Sequence, residues 1–342
     1  MPAGARPSEV WRAAASTLLR LNPKECDALA LVFEDHVTDD LRGVILDLLA
    51  AAGTFEAQVV IRRLLALAVA RRSNRAFASF VQRLAFVEQP DGPTLRFLMS
   101  VYAESRREPH DVRAACAYAL GASAGQALVA GDLDAAARAS DVLRRDLLSA
   151  GPIIEKCALL AALGNAGVPG DVLVMTRFTE DPDAPVRAAA ALALRKLSLR
   201  EASARLVALL ADPELKVAQN ALLALGEHRL ADVDLEAIAE LVLSGATAVA
   251  LDGRILGLLV AQRPRLGRTS SRTGVIEQAL RLLLGRVEAS ATVARSGAYR
   301  IGPDVTAPSA VHVRERIVQM GLDPNAATSN IPPPPNAAVR RR

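Results

Sequence analysis

The chain has 342 residues, of which 51% are apolar and only 3% aromatic, and it carries a net charge of +4. That apolar fraction is ample for a large core, but so few aromatic residues argue against a sheet protein and favour closely packed helices of Ala, Leu and Val. The charge is mild. Arginines interleave with acids, and Lys24, Lys156, Lys196 and Lys216 are the only lysines. No dense basic stripe with neighbouring aromatics appears, so no nucleic acid is expected as a partner.

The first residues, MPAGARPSEVW, contain no apolar stretch of the secretory type, and the expected location of the chain as it stands is cytoplasmic. No run reaches the roughly 18 apolar residues of a membrane span. Cys26, Cys116 and Cys157 are odd in number and far apart, which argues against a disulfide framework or a zinc site. They read as small buried residues.

Apolar residues recur at helical spacing over 8–20, 25–35, 41–52, 56–70, 74–86 and 93–104. Short breakers separate them: NP at 22, TDD at 38, GT at 53, RRSN at 71 and EQPDGP at 88. Helices of this length joined by a few polar, Gly or Pro residues form antiparallel hairpins. A phrase then recurs, ALG at 119–121 and 162–164, ALR at 193–195 and ALG at 224–226. Its leucines are spaced 43, 31 and 31 residues apart, periods typical of helical-pair solenoids.

The last two repeats align along their length. Asp181-Pro182 corresponds to Asp212-Pro213, Val186 to Val217, Ala190 to Ala221, and Ala193-Leu194 to Ala224-Leu225. The spacing places Val186, Ala190, Ala193, Leu194 and Leu197 on one helix face. Asp is expected to cap each helix, with the following Pro in its first turn.

An Asp followed by Val five residues later and Arg six later, leading into an Ala-rich helix, resembles the HEAT repeat. In that family the Asp and Arg form a ladder between stacked repeats. Asp181, Val186 and Arg187 match all three positions; Asp212 and Val217 match two, with Ala218 in place of the Arg. Val112 and Arg113 match two, with Arg107 where the Asp is expected, and at 151–167 only Lys156 echoes the Arg. The resemblance implies a ladder through Asp181, Arg187 and Asp212, interrupted in places, and irregular stacking.

A narrower resemblance lies in LRGVILDLLAAAGTFEAQVVIRRLLALA (41–68), followed in order by PTLRFLMSVYAESR, VRAACAYALGA and IIEKCALLAALGNAGVPGDV. Over about 200 residues this is similar to the helical domain of vitellogenin-type large lipid-transfer proteins. There, lipid sits in a funnel of β-sheets. This chain has no alternating strand series to build one, so the resemblance implies a shared helical architecture and does not carry over lipid binding.

Beyond residue 262 the regular pattern loosens. RPRLGRTSSR is basic and turn-rich, TGVIEQALRLLLGRVE (273–288) reads as a helix, 289–308 as loop, and SAVHVRERIVQMG (309–321) as a last amphipathic helix. The end, NAATSNIPPPPNAAVRRR, has the composition of a disordered or polyproline-like tail. The expected fold is therefore all-α: a right-handed superhelical solenoid of antiparallel, HEAT-like helix pairs over 1–262, an irregular extension over 263–321 and a disordered tail over 322–342.

Motifs for chemistry are absent. There is no phosphate loop, and GNAGVPG (164–170) follows a helix and reads as a hairpin turn. No H-E-x-x-H or G-x-S-x-G occurs. The histidines, His36, His110, His228 and His312, lie beyond helical reach of one another. His36 with Asp39 and Asp40 reads as a capped turn rather than a metal site, and His228 as a core or C-cap residue. No metal, cofactor or catalytic residue is expected. Arg263, Arg265, Arg268 and Arg272 form the best surface candidate, either a patch for an anion or an acidic partner or a solvated linker. Two functions compete: a non-catalytic scaffold that binds an unknown protein or peptide on the concave side of the inner helices, and a lipid-associated module with a lipid or lipoprotein partner. A continuous apolar groove favours lipid, a mixed one protein, and a buried His/acid cluster an enzyme.

Overall fold

A computed structural model describes residues 7–35, 38–67, 70, 73–262 and 273–295. Every regular element among them is helical. The chain divides into two compact units, Met1–Ala202 and Ser203–Arg342.

The first unit contains α1 (Pro7–Leu21), α2 (Glu25–Glu34), α3 (Asp39–Ala52), α4 (Phe55–Ala66), α5 (Asn74–Gln82) and α6 (Gly92–Glu104). It continues with α7 (His110–Val129), α8 (Leu133–Ser149), α9 (Ile153–Ala166), α10 (Val172–Phe178) and α11 (Ala184–Ala193). The helix boundaries follow local chemistry. Thr38, Thr54 and Asp91 each accept a hydrogen bond from the backbone N–H three residues on, starting α3, α4 and α6 at the polar breakers. Gly53 ends α3 in the left-handed region at φ 65°, where a side chain would be strained.

The helices pair in two interleaved layers. Odd-numbered helices stack in sequence, α1 on α3, α3 on α5, α5 on α7, α7 on α9 and α9 on α11. The even-numbered α2, α4, α6 and α8 form the other layer, and hairpin partners such as α7 and α8 bridge the two. Alternation of this kind is the signature of a helical repeat array. Its core is almost wholly Ala, Leu and Val, with Phe33 and Phe80 meeting edge-on at 6.1 Å near the first repeats. The helix expected over 74–86 is α-helical to Gln82 and tightens to a 3-10 turn over Arg83–Phe86.

α12 (Arg200–Ala208) carries the boundary between the units. The second unit contains α13 (Leu215–Glu227), α14 (Asp232–Leu243), α15 (Asp252–Gln262) and α16 (Thr273–Arg295). α16 packs on both α14 and α15. It runs to Arg295 rather than stopping near 288 as the fading apolar period suggested. The added segment is alanine-rich and holds helical geometry by propensity. His36, the arginines between 263 and 272, the helix expected over 309–321 and the tail from 322 lie outside the described residues.

Candidate functional site

The centre of the first unit is built by glycines. A Cβ on Gly121 would lie 2.9 Å from Ala162 Cα and closer still to its carbonyl, and one on Gly164 would lie 2.6 Å from Ala193 Cα. Gly125 similarly faces the carbonyl of Asn165. The recurring phrase ALG thus has a register: the Gly of one repeat rests on the Ala of the next, drawing α7, α9 and α11 together backbone to backbone.

With that contact fixed, each of the three helices turns a row of partly or fully exposed residues outward at three- to four-residue spacing. On α7 the row is Ala114, Tyr118, Ala122 and Gln126; on α9, Cys157, Ala161 and Asn165; on α11, Pro185, Ala189 and Leu192. The rows are adjacent. Arg195 donates from Nη2 to Asn165 Oδ1 at 2.7 Å, and Lys196 Nζ to Asn165 O at 2.8 Å. Burial pushes the Tyr118 phenol up, helped by the neighbouring Cys157. Burial also raises the Cys157 thiol, with Asp181 adding to the rise, which leaves a poor nucleophile. Lys196 is shifted down, by burial first and by Arg195 second. The floor itself is small, mostly alanine, with Tyr118 standing on it.

Ion pairs border one end of this face. Arg113 bonds Asp146 at 2.8 Å, approaches Glu155 at 3.4 Å and lies 5.2 Å over the Tyr102 ring. Tyr102 donates its hydroxyl to Asp146 at 2.8 Å. Burial and that carboxylate raise the phenol far above its ordinary range. One repeat further on, Lys156 Nζ meets Asp181 Oδ2 at 2.9 Å.

Asp181 also accepts the backbone N–H of Asp183 at 3.0 Å, and Arg187 Nη1 donates to the carbonyls of Asp181 and Pro182, each at 3.0 Å. In the next repeat Asp212 accepts the N–H of Glu214 at 2.9 Å. Neither Asp caps its helix, contrary to the sequence reading. Each closes an Asx-turn two residues ahead, and the helices start beyond Asp183 and Glu214. Pro185, not Pro182, occupies the first turn of α11. The proposed anion patch, Arg263, Arg265, Arg268 and Arg272, falls outside the described residues.

His228 is 2% exposed at the C-terminal end of α13, with Nδ1 3.0 Å from the Ser203 hydroxyl. Its carbonyl accepts from Gln262 at 3.0 Å. The pairing mimics a nucleophile and its base, but both side chains are buried and the contact is packing. Asp171, wholly buried, accepts from the Ser140 hydroxyl and from Arg144 Nη1 at 3.0 Å. This clasp holds α8 to the turn before α10, and its composition gave no sequence signal. A polar cleft of about 530 Å³ beside α1, α3 and α5 sets Asp39, Asp40 and Asp47 against Arg12, Arg75 and Arg83, whose charges cancel. No group of three or more His, Cys, Asp or Glu among the described residues could hold a metal ion. Nor is any described helix long and apolar enough to cross a membrane.

Fold and face together define an all-α protein of the helical-repeat class. The family model for the vitellogenin TPR domain matches residues 13–242, and the chain belongs to that family. No curated protein matches it. Among solved structures it is similar to Escherichia coli YibA at 14% identity, covering 82% of this chain and 98% of that one with a TM-score of 0.44. It is also similar to the CpcE–CpcF complex of phycocyanin lyase from Nostoc sp. PCC7120, at 18% identity, covering 75% and 94%, TM-score 0.40. An engineered protein matches at 18% identity, covering 66% and 97%, TM-score 0.37.

Proposed function

We propose that the protein is a non-catalytic scaffold that holds an extended protein segment on the free face of α7, α9 and α11. The mixed character of that face carries the reading. Its alanine floor lets a foreign backbone approach closely, Tyr118 offers a flat contact surface, and Gln126, Asn165 and Arg195 supply polar groups at one end. A lipid chain would need a trough that is apolar to both ends, and these polar residues close one end of this one. The buried acids and His228 sit inside helix contacts, where no substrate reaches them.

We assign Asp181 and Arg187 to the support of this scaffold and not to its contact surface. A peptide-display selection against the whole chain tests the reading. Enrichment is expected for the native chain and loss for Ala161→Arg, which plants a long charged side chain in the floor. Enrichment indifferent to that substitution, or stoichiometric lipid recovered by solvent extraction, would defeat it.

A further inference from the structure

Arg195 and Lys196 differ from other cations that tie the elements of the first unit together. Arg62, Arg83, Arg113, Arg144 and Lys156 each meet a carboxylate on another element. Arg195 and Lys196 reach back from the end of α11 to α9, but to neutral oxygens. Arg195 donates to Leu192 O at 3.1 Å and to Asn165 Oδ1 at 2.7 Å, and Lys196 Nζ to Asn165 O at 2.8 Å. Among the described residues no carboxylate forms an ion pair with either. Two neighbouring like charges with no acid between them are held at a cost. Partial burial and then Arg195 keep the Lys196 ammonium below its ordinary range.

The cluster is in place before anything binds. The Lys196 stem lies across Gly167, where φ is 62° and a Cβ would stand 3.3 Å from Lys196 Cδ. The Arg195 guanidinium is pinned at both of its terminal nitrogens. Asn165 accepts at both of its oxygens, so its amide Nδ2 remains as a donor. Each cation keeps further N–H groups beyond those bonds. What the three side chains still offer is therefore donors only, at the end of the α9 and α11 rows, with Lys196 exposed.

Charge selects the occupant. The negative ends of α9 and α11 offset roughly half an elementary charge each, which leaves about one positive charge uncompensated. That balance suits a single carboxylate better than a phosphate dianion. A chain-terminal carboxylate is captured by backbone N–H groups, whereas the helices ending here present carbonyls. An Asp or Glu side chain fits both conditions.

We propose that Arg195, Lys196 and Asn165 form a carboxylate-binding site, and that the segment held on α7, α9 and α11 is acidic, with an Asp or Glu side chain seated against this pair. The proposal rests on the scaffold reading and names the chemistry of its partner.

Peptides selected by display on the whole chain serve as probes. They are expected to share one Asp or Glu position, and a library lacking both residues should give no enrichment. Lys196→Gln keeps a donor for Asn165 O and removes the charge. It is expected to weaken a selected peptide by about 10-fold, and by about 100-fold when combined with Arg195→Gln, with circular dichroism unchanged. Arg195→Gln with Lys196→Glu should turn the shared position of newly selected peptides to Lys or Arg, an inversion that a damaged surface does not produce. Peptides that are lost on Ala161→Arg but share no acidic position, or that ignore Lys196→Gln, overturn this proposal and leave the scaffold reading standing. No enrichment from any library removes both. Displacement of a selected peptide by inorganic phosphate, with sodium chloride at the same ionic strength leaving it bound, assigns the pair to a phosphate group and overturns the proposal as well.

Discussion

Gly121 rests on the backbone of Ala162, with no side chain between the two helices. A methyl group there meets main chain, which cannot rotate away, so α7 and α9 must separate. Gly121→Ala is expected to cost about 3 kcal/mol. Gly257, inside α15, has nothing within 4 Å of its would-be Cβ. Gly257→Ala should therefore stabilise by about 0.5–1 kcal/mol through helix propensity alone. Urea denaturation of the two variants checks the contrast; equal effects would remove the packing explanation.

The Lys156–Asp181 pair joins successive repeats, and the Asp181 side chain is only 7% exposed. Lys156→Met takes the cation from a nearly buried carboxylate and is expected to cost about 2 kcal/mol. Adding Asp181→Asn should restore part of the loss, giving a coupling energy that a double-mutant cycle measures. Additive losses would show that the contact is incidental.

Tyr102 holds its proton because it is buried and donates to Asp146. Its folded pKa lies above the usual value of 10, so the stability it confers is complete below pH 10 and is lost as the pH climbs through the folded value. Tyr102→Phe is expected to cost about 1–2 kcal/mol at neutral pH and to flatten the alkaline limb of the stability curve. Absorbance at the phenolate band during alkaline titration should show this tyrosine ionising only with unfolding.

Two buried aspartates should respond in opposite ways. Burial raises both Asp171 and Asp252 above the usual 3.8, against the pull of Arg144 and Arg286 respectively. Each then favours the folded state most below that value, and the contribution is lost as the pH rises through the raised folded pKa. Asp171 is tied by Ser140 and Arg144, so Asp171→Asn should cost about 2 kcal/mol at pH 7. Both carboxylate oxygens of Asp252 lack a hydrogen-bond partner, and Arg286 stands 3.7 Å away and is 30% exposed. Asp252→Asn should therefore be neutral or stabilising at pH 7, with its advantage shrinking toward pH 4. Melting temperatures across that range decide the point; a large loss for Asp252→Asn would refute it.

The helices were legible because their ends are written in local chemistry. Thr38, Thr54, Asp91 and Gly53 act on neighbours three or four residues away, and a linear reading reaches that far. The ALG phrase was legible as a period but not as a contact, since nothing in Gly121 names Ala162 as the group it must admit. Asp181-Pro182 misled for a related reason. The segment DPDAP offers two prolines that suit a first helical turn, and only the Asx-turn that Asp181 closes on the Asp183 N–H decides between them. The face of α7, α9 and α11 gave the weakest signal. Alanines populate its buried and open sides alike, so burial there is set by what stacks alongside. The buried clasp at Asp171 joins residues 27 and 31 positions apart in polar stretches that read as surface.

The glycine contacts also govern how the first unit bears a load. Joints lined by interlocking side chains can re-sort rotamers and give a little under tension, as a spring does. At Gly121, Gly125 and Gly164 the joint is main chain against main chain, with no rotamers to re-sort. Elastic strain applied along the stack must pass through these junctions undiminished and be absorbed where larger side chains interleave, between α3, α5 and α7. The three glycines leave α7, α9 and α11 with the least room in the first unit to adjust by rearranging side chains.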